Sequence, residues 1–170
     1  MRIRHTWLLA LGLIGCAGPT AEVPDNLRFP TGETALLRVK ATGAQVYECK
    51  ASASDASKLE WVLRAPDAQL TDATGQVFGK HYGGPTWEAL DGSKVVGEVR
   101  ARADAPDPTA IPWLLLAARS TGGAGVLARV RGVQRIDTVG GKAPPSCGAD
   151  EVGHTLRVSY SAVYVFSQGQ

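Results

Sequence analysis

The chain has 170 residues, with 18 Lys and Arg against 16 Asp and Glu and a formal net charge of +2. That length suits one domain with a real core. The near-neutral balance, without a basic block, leaves no electrostatic footprint for nucleic acid, and no apolar run reaches the ~20 residues a membrane-spanning helix takes.

The first element is an export signal. Arg2 and Arg4 precede an apolar stretch from Trp7 to Ile14, and Gly15 is the small residue a signal peptidase needs before its cut. Leu13-Ile14-Gly15-Cys16 resembles the lipobox of bacterial lipoproteins. The resemblance implies cleavage before Cys16, a thioether lipid on its sulfur and acylation of the new amino terminus; an ordinary secretory signal with an incidental Cys16 is the alternative. Gly18 stands second after the cysteine, where aspartate would signal inner-membrane retention, so the same resemblance points to the outer membrane. The expected organisation is a signal peptide over 1–15, a lipidated tether over 16–26 and a globular domain over 27–170. Loss of Arg2 and Arg4 takes Lys and Arg from 18 to 16, equal to the 16 acidic residues. A tether of this length reaches at most ~35 Å, so the domain stays near the membrane surface.

With Cys16 committed to lipid, Cys49 and Cys147 remain. An even pair in an oxidising compartment reads as a disulfide, worth roughly 4–5 kcal/mol by chain entropy for so long a loop. Two buried thiols or a metal site are the alternatives, and the lack of a nearby histidine pair makes a poor zinc site.

Alternation with a period of two dominates the rest, and it predicts strands. Leu37, Val39 and Ala41 alternate with Arg38 and Lys40, and Thr42-Gly43 reads as a turn between two strands. Trp61, Leu63 and Ala65 form a second apolar face, and Ala73-Thr74-Gly75 a turn. Thr86–Leu90 and Ser93–Ala103 flank Asp91-Gly92, a strong hairpin signal. Val95, Gly97, Val99, Ala101 and Ala103 share one face of the later strand. Pro106, Pro108 and Pro112 mark a stiff connection. The run Ile111–Arg119 fits a buried helix or a buried strand, and its flanking prolines and the following Ser-Thr-Gly-Gly favour the strand. Val126, Ala128, Val130, Gly132 and Ile136 line another face, and Arg129, Arg131 and Arg135 opposite read as a solvated face, with an anion-binding patch the alternative. Last comes a long strand with Leu156, Val158, Tyr160, Ala162, Tyr164 and Phe166 on its buried side. The predicted fold is an all-β, single-domain antiparallel sandwich or barrel of roughly 8–10 strands.

These landmarks resemble the DUF3455 family of exported bacterial and fungal proteins. The resemblance is carried by Val23-Pro-Asp-Asn-Leu27, Gln45-Val-Tyr-Glu-Cys-Lys50, and Trp61 with Ala65-Pro-Asp-Ala68. It is densest at Gly79-Lys-His-Tyr-Gly-Gly-Pro-Thr-Trp87 and Asp91-Gly-Ser-Lys94. It continues through Ile111-Pro-Trp-Leu-Leu115, Gln134-Arg135, Thr138–Pro144, Cys147 and the Val158–Tyr164 alternation. What it implies is a fold and an exported compartment, without an activity.

His81-Tyr82-Gly83-Gly84-Pro85-Thr86-Trp87-Glu88, with Asp91 and Lys94 beyond it, is the candidate site. It offers an imidazole, two aromatic surfaces for stacking on a sugar ring, carboxylates, and glycines that let a ligand approach backbone. His81 with Glu88 or Asp91 would supply a base and an acid if they converge, as an envelope hydrolase acting on glycan or ester requires. Tyr82, Trp87 and Lys94 are the binding candidates. In the competing structural reading, Trp87 is core, Glu88 a solvated strand residue and Asp91-Gly92 a turn. If Thr86–Leu90 is a strand, Trp87 and Glu88 point to opposite faces.

Other chemistry is weakly signalled. His81 and His154, with Asp150 and Glu151, show no metal-ligand spacing, so neither metal nor cofactor is expected. Ser93, Ser159 and Ser161 lack a nucleophile-elbow context, and Gly122–Gly125 lacks the Lys-Ser/Thr of a phosphate loop. The expected role is a non-enzymatic binding or interaction module at the cell envelope, held to the membrane through its lipid and meeting a glycan or protein ligand. The hydrolase and a purely structural envelope protein are the alternatives.

Overall fold

The structure, a computed structural model, describes residues 22–170. The export segment and Cys16 lie outside the described residues. Eight strands follow one another: β1 (Glu33–Ala51), β2 (Leu59–Thr71), β3 (Val77–Tyr82), β4 (Thr86–Ala89), β5 (Lys94–Ala103), β6 (Trp113–Gly122), β7 (Val130–Gly140) and β8 (Thr155–Gly169). Each pairs antiparallel with the next, and β8 returns to β1, closing one sheet into a barrel. Closure removes the edge strands an open sheet would expose. The run after Pro112 is strand, as its flanking prolines favoured.

Alternation puts Val39, Leu70, Trp87, Val95, Leu116, Val133, Tyr160, Ala162, Tyr164 and Phe166 inside as one apolar core. A second, smaller cluster lies on the outer face. There Leu27, from a 3-10 turn at Asp25–Leu27, packs fully buried with Trp113, Ile136 and Val165. The Gln134 amide donates to the Leu27 carbonyl at 2.6 Å, and the Asn26 amide donates to the Arg102 carbonyl at 3.1 Å. Residues 23–26, at the end of the expected tether, are thus seated on the barrel wall.

Three expectations change, each for a backbone reason. β1 runs unbroken through Thr42-Gly43, because Gly43 lies so close to Asp67 and Ala68 of β2 that a Cβ would collide with their backbone. Register shifts in β5 at Val96/Gly97 and Val99/Ala101 turn Ala101 and Ala103 away from Val95 and onto the outer cluster. Shifts in β7 at Val130/Gly132 and Ile136/Val139 send Val130 and Val133 inward and Ile136 outward, so Arg135 leaves the surface row of Arg129 and Arg131 for the interior.

Barrel height is uneven. β3 and β4 span six and four residues, between a β2 of 13 and a β5 of 10. The β2–β3 ladder ends at Ala68 and the β4–β5 ladder at Val96. Beyond those points the wall has a notch, bounded by β2, β5 and the Gly83-Gly84-Pro85 turn. Gly84 needs its missing Cβ: it holds φ +134°, and a side chain would run into Thr86.

The Cys49–Cys147 disulfide forms as expected, with the Cα atoms 6.0 Å apart. It ties the end of β1 to the β7–β8 connection. Tyr47 donates its hydroxyl to the Gly141 carbonyl at 2.6 Å, and Thr138 donates to Ile111 at 2.6 Å, bracing the same end.

Candidate functional site

The strand pattern of β3 and β4 divides the densest sequence motif between two faces. His81 and Trp87 sit opposite each other in the ladder and point inward, 2% and 1% exposed. Their rings stack at 4.5 Å, and Tyr164 meets both edge-on at 4.9 and 5.2 Å. A Cβ on Gly97 would press on the Trp87 ring at 2.9 Å, so glycine makes room for the indole. Tyr82, Glu88 and Lys94 occupy the outer face. Tyr82 donates to the Glu88 carboxylate at 2.7 Å, with Lys80 at 3.7 Å and Lys94 at 4.0 Å. The Tyr82 hydroxyl holds the Glu88 carboxyl below its usual range, and both lysines act the same way.

His81 and Glu88 therefore do not converge as a base and acid. The imidazole Nδ1 lies 2.8 Å from the Thr86 carbonyl, which fixes the proton there and leaves Nε2 as a lone-pair acceptor. Burial lowers the His81 pKa to about 3, and the Arg135 charge pushes the same way. Asp91 is a structural tie. Its carboxylate accepts from the Ser93 backbone at 2.8 Å, the Ser93 hydroxyl at 2.6 Å and the Val126 backbone at 2.9 Å. Those bonds, the Ser93 hydroxyl first, depress its pKa and join the β4–β5 hairpin to the β6–β7 connection. Trp87 and Tyr82, on opposite faces, form no common stacking platform.

What the interior offers is space. Behind the notch is a cavity of about 360 Å³, within the roughly 300–1,000 Å³ usual for ligand pockets. Leu63, Pro66, Val99, Leu114 and Leu116 make its walls apolar, while Leu63 and Val99 stand half-exposed at its mouth. Trp87, Tyr164 and His81 form its inner end. A second cavity of about 350 Å³ shares Gln45, Leu63 and Arg135 with it and adds Tyr47, Glu60, Arg102 and Lys142.

The polar groups in this space are unusually free. Gln45 is 1% exposed, yet among the described residues neither its Nε2 nor Trp87 Nε1 has a hydrogen-bond partner, and the Tyr164 hydroxyl has only Tyr160 and Arg135 beside it. Buried donors are normally satisfied, and each exception asks for an explanation. Burial pushes the Tyr164 phenol pKa up, against the Arg135 charge. Arg135 donates its Nε to the Pro112 carbonyl at 3.0 Å. No carboxylate pairs with it among the described residues.

His81 and Trp87 are legible in the sequence; Arg135 is legible only as part of a polar row with Arg129 and Arg131, and Gln45 is not legible as a site residue. Tyr164 was visible as an inward residue without a role. Arg135 was masked by the bulges, which reverse its face. Gln45 carried one signal, an amide at an inward position of a strand continuing from Val39 and Ala41, but the expected turn at Gly43 hid it.

Fold and cavity together define a small closed β-barrel domain with a partly apolar interior chamber. More particularly, the chain belongs to the family described as Protein of unknown function (DUF3455), which matches residues 30–168. No curated protein and no solved structure matches it.

Proposed function

We propose that this protein is a cell-envelope lipoprotein whose barrel binds a small, largely apolar ligand without chemical turnover. The observation that carries the reading is the chamber behind the notch, apolar-walled and lined by unpartnered donors. Eight strands make a barrel wide enough to hold one small ligand. Against a hydrolase stands the placement of His81 and Glu88 on opposite faces of the sheet. A purely structural role gives no reason for an interior left open at considerable cost in packing. The disulfide is consistent with export. The lipid on Cys16 and outer-membrane residence rest on the lipobox resemblance, and a glycan or protein partner at the outer Tyr82–Glu88–Lys94 face is the lesser alternative.

Two experiments test this. Cys16→Ser should release the protein from the membrane fraction; unchanged membrane retention would sink the anchor. The released Cys16→Ser chain should take up the neutral fluorophore N-phenyl-1-naphthylamine with a rise in emission. Val99→Trp, at the half-exposed mouth, should abolish uptake while leaving the unfolding midpoint in place. Emission that survives Val99→Trp undiminished places the dye elsewhere and overturns the chamber.

A further inference from the structure

Resting on that reading, we infer that the ligand is a monocarboxylic acid, its carboxylate seated on Arg135 and its apolar body against Leu63, Val99, Leu114 and Leu116. Arg135 is half-buried in the cavity wall, and a guanidinium partly withdrawn from water is costly unless an anion accompanies it. Here the protein supplies none: the nine ion pairs among the described residues leave Arg135 out. The surrounding charge does not offset it either. Arg102 and Lys142 line the adjoining space, where Glu60 is the one carboxylate among the described residues, and Lys142 donates to the Pro108 carbonyl at 2.6 Å.

The geometry favours a planar head with one negative charge. The Nε of Arg135 is spent on Pro112, so its two terminal nitrogens remain as a fork, which matches the two oxygens of a carboxylate. The Gln45 Nε2, without a partner among the described residues, lines the same cavity as Arg135, and the Tyr164 hydroxyl beside Arg135 adds a second donor without charge. Arg135 lines both cavities, with His81 and Tyr164 in one and Tyr47 in the other, so its charge faces the interior as well as the mouth. Apart from Arg64, which is exposed at the rim, the rest of the wall is largely apolar and disfavours a heavily hydroxylated ligand.

The test is a matched pair. Octanoate and octanol are titrated calorimetrically into the Cys16→Ser chain at pH 7.5. Octanoate is expected to bind at least tenfold more tightly, the scale of a charge-assisted hydrogen-bonded pair. Arg135→Gln should erase that difference by weakening octanoate alone, and Arg135→Lys should restore part of it. Should Arg135→Gln fail to fold, Gln45→Leu with Tyr164→Phe, which keeps the charge and removes the neutral donors, should still narrow the gap at least threefold. Equal affinities for octanoate and octanol overturn the carboxylate and leave the chamber standing. Binding of neither overturns both. A preference for octanoate that survives Arg135→Gln, or an unchanged gap in the donor-free double variant, overturns the assignment to this cavity.

Discussion

The two ends of the barrel are built by different means. At one end Val39, Leu70, Ala89, Val95, Leu127 and Phe166 fill the interior, and the Asp91–Ser93–Val126 bonds knit the loops above them. At the other, Gln45, Tyr47, Leu63, Arg102 and Arg135 line space, and the wall is notched where β3 and β4 stop short. The first end is held by packing. The second is held by a covalent bond and by side chains donating to backbone, at Tyr47–Gly141, Thr138–Ile111 and Arg135–Pro112. A barrel that must keep an interior open cannot stabilise that region by filling it, so directional and covalent ties replace apolar contact.

The sharpest way to break the contrast is at the layer where the two ends meet. Trp87→Ala should cost about 3–5 kcal/mol in urea unfolding, because a fully buried indole leaves a cavity that neighbours cannot refill. A loss below about 1 kcal/mol would mean that the closed end does not depend on packing. Next in size is Cys49→Ser with Cys147→Ser, expected to cost about 2–5 kcal/mol. Hydrogen exchange locates that loss: amides around 46–50 and 148–156 should exchange faster, while those beside Leu70 and Phe166 stay protected. Uniform acceleration would refute the division of labour.

A smaller effect comes from pH. The His81 pKa of about 3 in the fold lies below its ordinary 6.5, so the unfolded chain takes up the proton first as pH falls. Its contribution is complete above pH 6.5 and is lost on the way down towards pH 3, by up to about 1.4 kcal/mol per pH unit. Between pH 6.5 and about 5.5, one unit above the ordinary glutamate value of 4.5, this slope stands clear of the carboxylates. Urea midpoints should fall across that window in the natural chain and flatten in His81→Gln; equal slopes would show that His81 already carries a proton in the fold. Smallest is Glu88→Gln on the outer face, where exposed ion pairs contribute little. No measurable shift in midpoint is expected, and a clear one would give the outer Tyr82–Glu88–Lys80 cluster a structural weight that its exposed lysines do not suggest.

Legibility in the sequence followed the same division. β8 and the β4–β5 hairpin were readable because an unbroken period of two fixes which side chains face in, and Asp91-Gly92 marks the turn. The disulfide followed from cysteine number and compartment. What stayed hidden sits at bulges. An extra backbone residue reverses every later side chain without altering the composition around it, so Arg135 looked like a neighbour of Arg131, and Ala101 like a partner of Val95. The chamber was hidden for a second reason. It exists because two strands are short, and strand length follows from where a turn falls, which Gly83-Gly84-Pro85 signals without saying what the missing wall exposes.

The disulfide also bears on survival among proteases. Every loop from 52–58 to 123–129 lies between Cys49 and Cys147 along the chain. A single cut in any of them leaves both pieces joined by the sulfur bridge, with β1 still zipped to β8. A nicked molecule would keep its mass and its seam and come apart on a gel only after reduction.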